Sequence, residues 1–182
     1  MIDERRDRVQ GARFFTKLDL RNGYYLIRIK EGDEWKMAIR TRYGNFKYKV
    51  MPFGFANAPE TFQNMINDIL REYLDQGVLA YLDDILIYPK NKDEHVALVR
   101  KVLQRLKENQ LAVVAHKSIF HASEVEFLGY KVNQGGQRMS ERKVESITTW
   151  EPPRNIKDCN DHSSYRVDRV PIDFHEYICV DT

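Results

Sequence analysis

The chain reads as an α+β domain, an antiparallel sheet backed on one face by two helices. Three observations predict this. Val78–Tyr88 sets two short apolar runs, rich in β-branched and aromatic residues, on either side of Asp83-Asp84, the pattern of a hairpin with a tight acidic turn. Two longer stretches, near 59–76 and 93–109, carry apolar residues at helical spacing along one stripe. A one-sided stripe has to bury against another element, and a sheet offers the complementary surface.

The 182 residues suffice for one domain with a real core. With 42% hydrophobic and 31% charged residues, the composition is that of a water-soluble fold. A formal charge of +2 says little about nucleic acid, so the placement of basic residues matters more than their number. No apolar run approaches a membrane span, and Met1-Ile2-Asp3-Glu4-Arg5-Arg6 contains no signal-like segment. Two cysteines, Cys159 and Cys179, are too few for a disulfide scaffold. The expectation is an intracellular protein that neither enters a membrane nor is secreted.

In order, residues 2–10 form a charged helix or part of one. Phe14–Leu20 is a strand broken by Gly23, and the alternation of Tyr25, Ile27 and Ile29 predicts a second strand. Met37–Val50 reads as a hairpin turning at Gly44-Asn45. Lys36, Arg40, Arg42, Lys47 and Lys49 interleave with its apolar residues, which suits either a phosphate backbone or plain solvent. Pro52–Pro59 is a loop. The helix that follows, capped at Asn57 or Ala58, carries Phe62, Met65, Ile66, Ile69, Leu70, Tyr73 and Leu74 to a stop at Gly77. After the acidic hairpin, Asn91 or Asp93 opens the second helix, which ends near Asn109. Leu111–Ala115 is a short strand, and Val125–Val132 is another, turning at Gly135-Gly136. Ser140 caps a last short helix closed by Pro152-Pro153. From Lys157 the pattern loses its period, and the stretch to Thr182 reads as a poorly ordered tail.

Three carboxylates stand out. Asp83 and Asp84 are adjacent like charges, costly unless a cation lies between them. Hard oxygen ligands on a rigid turn suit Mg²⁺ or Mn²⁺. Asp is also common in turns because its side chain bonds the local backbone, so the turn alone leaves both readings open. Asp19 interrupts an apolar strand between Leu18 and Leu20. It needs a metal, exposure at the strand end, or a partner such as Lys17 or Arg21.

Four stretches in this order resemble the palm of reverse transcriptases, most closely those of gypsy-type LTR retrotransposons. They are Phe15–Tyr24, Met51–Gln63, Tyr81-Leu82-Asp83-Asp84 and Phe127-Leu128-Gly129-Tyr130. The likeness runs from about Ile2 to Lys157, giving a palm over 1–157 and an unmatched segment over 158–182. It implies RNA-directed DNA polymerase activity by two-metal nucleotidyl transfer, with Asp19, Asp83 and Asp84 holding two Mg²⁺ ions, Mn²⁺ being a possible substitute. It places Tyr24 as a gate against the ribose 2′-hydroxyl, although a core tyrosine fits the sequence equally. Leu20, Pro52, Phe53 and Gly54 would line the nucleotide site, and Phe127, Leu128, Gly129 and Tyr130 would form the primer grip. Lys117 falls where the family has a lysine assigned to pyrophosphate, though a surface lysine fits as well. Ser118 stands where relatives often have Cys. The implied partners are an RNA or DNA template with its primer, deoxynucleoside triphosphates, and polyprotein domains such as RNase H and integrase. The implied location is a cytoplasmic particle or the nucleus. The family's fingers would precede this chain and its thumb would follow, so the resemblance marks a truncated fragment with a frameshifted or truncated tail. The alternatives are another two-metal phosphoryl-transfer palm, or an inactive remnant that at most binds nucleic acid.

Overall fold

The computed structural model describes residues 9, 11–21, 23–148 and 178–180. Strands and helices are numbered here in chain order. β1 (Phe15–Asp19) is an interior strand of an antiparallel sheet ordered β4-β5-β1-β6. β4 is Val78–Tyr81, β5 is Asp84–Ile87 and β6 is Ile119–Ala122. Two smaller sheets flank it. One contains β2 (Ala38–Thr41), β3 (Gly44–Tyr48) and β10 (Ile178–Val180). The other is the meander β7 (Glu124–Phe127), β8 (Tyr130–Asn133) and β9 (Gly136–Met139).

The helices α1 (Ala58–Leu70) and α2 (Lys92–Glu108) pack on one face of the central sheet, as the stripes require. Phe62, Ile66 and Leu70 of α1 and Val102 and Leu106 of α2 are buried in one cluster with Leu18, Leu20, Val78, Ile85 and Ile87 of the sheet. Side chains alternate along a strand, so Phe15 and Leu86 fall on the other face. There they meet Val125, Phe127 and Val132 of the meander. The Asn91 carboxamide caps α2 by accepting from the Glu94 N–H at 2.8 Å. A last helix, α3 (Glu141–Thr148), follows Ser140 as expected. No described helix is long and apolar enough to cross a membrane.

Six local expectations need correcting. The strand predicted over Tyr25–Ile29 is a 3₁₀ turn, Gly23–Leu26, followed by a lone bridge from Arg28 to Val50. The consecutive rings of Tyr24 and Tyr25 are both buried, which an extended strand with a single buried face does not allow. The β2–β3 hairpin turns at Arg42-Tyr43, not at Gly44-Asn45. Thr41 closes that earlier turn, its hydroxyl accepting from the Tyr43 N–H and donating to the Gly44 carbonyl. α1 stops at Leu70, and Tyr73 and Leu74 pack against the core from the turn beyond it. The expected strand at Leu111–Ala115 is only a bridge from Val113 to Leu20. Val125–Val132 is two strands, because Leu128 (φ 53°) and Gly129 (φ 76°) form a two-residue hairpin turn, and the next turn falls at Gln134-Gly135.

The helix expected over 2–10 lies outside the described residues except for Val9, and so does the closure at Pro152-Pro153. The poorly ordered tail expected from 158 also lies outside them, except that Ile178–Val180 pairs with β3.

Candidate active site

The β1–β5 register sets Asp19 directly opposite Asp84. Cross-strand partners share a face, and Leu18, Leu20 and Ile85 occupy the helix side. Asp19 and Asp84 therefore both lie on the face away from α1 and α2. Tyr81 pairs with Asp84 across β4–β5, leaving Leu82 and Asp83 as the two-residue turn. Leu82 takes the left-handed conformation, φ 50°.

Backbone bonds tie this turn to the end of β1. The Leu20 N–H donates to the Asp83 carbonyl at 2.9 Å. The Asp19 N–H donates to Ser118 Oγ at 3.2 Å, and the Asp19 carbonyl accepts from the Val114 N–H at 2.9 Å. Burial pushes the Asp83 carboxyl above its ordinary range, and the charges of Asp84 and Asp19 push the same way. The backbone of Asp83 and the charge of Lys117 oppose the rise.

Lys17 also lies on this face, two residues before Asp19. Its ammonium pairs with Asp84 Oδ1 at 3.1 Å, and both side chains are largely covered, at 21% and 27% exposed. The lysine that the sequence offered to Asp19 thus goes to Asp84. Among the described residues, no three His, Cys, Asp or Glu side chains already form a group that could hold a metal ion.

Beside the carboxylates, Tyr24 is 7% exposed and belongs to the core cluster. Its ring stacks on Phe62 at 5.1 Å between centroids and tilts against Phe53 at 4.6 Å. Burial raises the pKa of its phenol, and the charges of Asp83 and Tyr81 add to the rise. The ring therefore sits in the field of the acidic turn. Pro52 is buried, Phe53 is 45% exposed, and Gly54 has φ 99°, a conformation that favours glycine. Leu20 is buried at the end of β1. Phe127, Leu128 and Tyr130 line a cavity of about 450 Å³ together with Tyr81, and Gly129 lies in the turn between them. Lys143 covers the Tyr130 ring, its Nζ 4.5 Å from the centroid.

Sequence reasoning gave no role to two positioning residues. Gln63 reaches from α1 to the acidic hairpin. Its Nε2 donates to the Ala80 carbonyl at 3.2 Å and to Asn67 Oδ1 at 2.9 Å, and its Oε1 accepts from the Leu82 N–H at 2.8 Å. Ser118 holds the backbone of Asp19 and anchors itself on the Val114 carbonyl at 2.9 Å. The available signal for Gln63 was a polar residue directly beside the buried stripe, next to Phe62. Ser118 had no signal in a single sequence.

Residues 2–132 match the family described as reverse transcriptase (RNA-dependent DNA polymerase). The chain belongs to the reverse transcriptase family. It is 42% identical over 158 residues to the Transposon Tf2-3 and Tf2-4 polyproteins of Schizosaccharomyces pombe. Those matches cover 87% of this chain and 12% of each polyprotein, so this reverse transcriptase chain spans a small part of its relatives' length. The gypsy-type likeness is consistent with these relatives. Among solved structures, the fold is similar to a foamy viral protease-reverse transcriptase in complex with RNA/DNA hybrid. The TM-score is 0.72 at 25% identity, covering 86% of this chain and 21% of that one. A foamy viral protease-reverse transcriptase in complex with double-stranded DNA aligns with TM-score 0.74 at 26% identity, covering 84% and 27%.

Reverse transcriptases use divalent metal ions. The residues here fit such an ion chemically. Asp19, Asp84 and Asp83 offer hard carboxylate oxygens from two paired strands and their turn, and Asp83 is raised first by burial and then by the two charges a divalent ion would neutralise.

Proposed function

We propose that this chain is the catalytic palm of a retrotransposon reverse transcriptase, adding deoxynucleotides to a primer on an RNA or DNA template. The observation that carries the reading is the Asp19–Asp84 register pair with Asp83 in the adjoining turn. Asp19, Asp83 and Asp84 would hold two Mg²⁺ or Mn²⁺ ions, which supply charge to activate the primer 3′-oxygen and to stabilise the leaving pyrophosphate.

The chain's own residues orient and exclude. Leu20 and Gln63 fix the turn that carries Asp83 through its backbone. Tyr24, braced by Phe62 and Phe53, would occupy the space of a ribose 2′-hydroxyl. Pro52, Phe53 and Gly54 would form the floor beneath the nucleotide, and the Phe127–Tyr130 turn would grip the primer. The similar foamy viral enzymes in complex with RNA/DNA hybrid and double-stranded DNA support a template–primer as partner. The polyprotein relatives, of which the matched stretch is 12%, support action within a longer chain. RNase H and integrase domains beside the palm, and an intracellular setting, belong to the same reading. Catalysis of this kind rests on positioning and electrostatics, without a protein nucleophile.

The test is primer extension on poly-rA with oligo-dT, dTTP and Mg²⁺. It compares the 182-residue chain with the same chain joined to a relative's fingers and thumb. The joined protein extends the primer and its Asp83→Asn variant does not. The 182-residue chain falls below it by on the order of 10²-fold or more, because nucleotide and primer are held by fewer groups. Extension by the Asp83→Asn variant, or none by the joined parent, refutes the reading.

A further inference from the structure

We propose that Lys17 is the internal counter-cation of the carboxylate site, holding Asp84 until a divalent ion takes its place and thereby lowering the affinity for that ion. The proposal rests on the reading of Asp19, Asp83 and Asp84 as metal ligands. β1 is paired on both sides, with Lys17 opposite Leu86 of β5 and Ile119 of β6, so its backbone is fixed and only its side chain can move. Lys17 shares a face with Asp19 by strand alternation and is the diagonal neighbour of Asp84, a separation that a long side chain spans. The resulting contact is the 3.1 Å ion pair.

A lysine on an interior strand beside buried Phe15 and Leu86 is costly unless paired, and the pair with Asp84 meets that need. The ammonium and an incoming divalent ion then compete for one carboxylate. Like-charge repulsion adds to the competition, because the ammonium has to leave Asp84 before the ion can use that oxygen.

Mn²⁺ binding to the 182-residue chain tests this, read by thermal unfolding across a Mn²⁺ series and by direct titration. Lys17→Met and the polar, neutral Lys17→Gln bind Mn²⁺ more tightly than the parent, by on the order of 3- to 10-fold. Without metal both melt below the parent, and the loss disappears when Asp84→Asn is combined with either. Equal or weaker Mn²⁺ binding in both variants overturns the proposal, as does additivity of the Lys17 and Asp84 substitutions in metal-free protein. Asp83→Asn separates the two failures. If it binds Mn²⁺ as the parent does, the ion lies elsewhere, and the site reading falls together with the proposal.

Discussion

Gln63 Oε1 accepts the Leu82 N–H at 2.8 Å, so a side chain on α1 fixes the first residue of the turn that presents Asp83. The same carboxamide donates to the Ala80 carbonyl and is itself steadied by Asn67 one helical turn on. Leu82 holds a positive φ that a leucine adopts only under constraint, and this clamp supplies part of it.

Gln63→Met keeps the volume and loses every hydrogen bond. The part-buried Leu82 N–H then lacks its partner, at a cost of about 1–3 kcal/mol in stability. In the polymerase with fingers and thumb, kcat falls by on the order of 10- to 100-fold while KM for the nucleotide changes little, because a small displacement of a reacting group suffices. Steady-state primer extension separates the two constants. A rise in KM at constant kcat would place the role of Gln63 in nucleotide binding.

Gly23 has no room for a side chain. A Cβ built there would lie 2.3 Å from Phe62 Cζ. Gly23→Ala therefore forces the Phe62 ring, and the Tyr24 ring stacked on it, to shift, at a cost of about 1–3 kcal/mol. Phe62→Leu alone leaves space and is also destabilising. The double variant recovers part of the loss, because each change relieves the other. Urea unfolding of the four proteins gives the coupling energy, and additivity would mean that the ring moves aside freely.

The sheet-and-helix plan was legible because burial writes itself into spacing. Phe62, Ile66 and Leu70 repeat at helical period, and Ile85 and Ile87 share the sheet face on which they pack. The acidic turn was legible for the same reason, since two apolar runs of strand length left only Leu82-Asp83 between their paired ends. Turn positions were less legible. Gly44-Asn45 and Gly135-Gly136 look like the natural corners, yet the Thr41 hydroxyl closes its turn two residues earlier and the Asn133 carboxamide closes its turn one residue earlier. The Tyr25–Ile29 alternation misled because the tight approach of Gly23 to Phe62 draws the following rings inward. Lys17, Gln63 and Ser118 act across 67, 19 and 99 residues of chain, and such pairings leave no local pattern to read.

Tyr24 is expected to discriminate sugars. Its ring is held from two sides and lies in the field of Asp83, so it cannot swing away without disturbing Phe53 and Phe62. In the joined polymerase, Tyr24→Val opens space at the 2′-position and raises ribonucleotide incorporation by on the order of 10-fold or more. Competition between rCTP and dCTP on a defined template measures the ratio. Unchanged selectivity with activity retained would leave Tyr24 as a core residue only.

His95 sets a pH limit on the fold. It is 1% exposed at the start of α2, and its Nε2 lies 2.8 Å from Thr16 Oγ1. That hydroxyl also accepts from the His121 N–H at 3.1 Å, so its single hydrogen is free to point at His95 and favours the neutral ring with Nε2 bare. Burial lowers the His95 pKa, the nearby His121 lowers it further, and the Phe14 backbone opposes the shift. The unfolded chain then binds the proton more readily than the folded one. Stability is fully present above the unfolded value of about 6.5 and is lost as pH falls from there through the folded pKa. One proton limits the slope to about 1.4 kcal/mol per pH unit. Urea unfolding at intervals between pH 8 and about 5 shows a plateau and then a fall. His95→Gln flattens the fall, and His121→Gln makes it shallower by removing the neighbouring charge. An equally steep fall in His95→Gln would place the titrating group elsewhere.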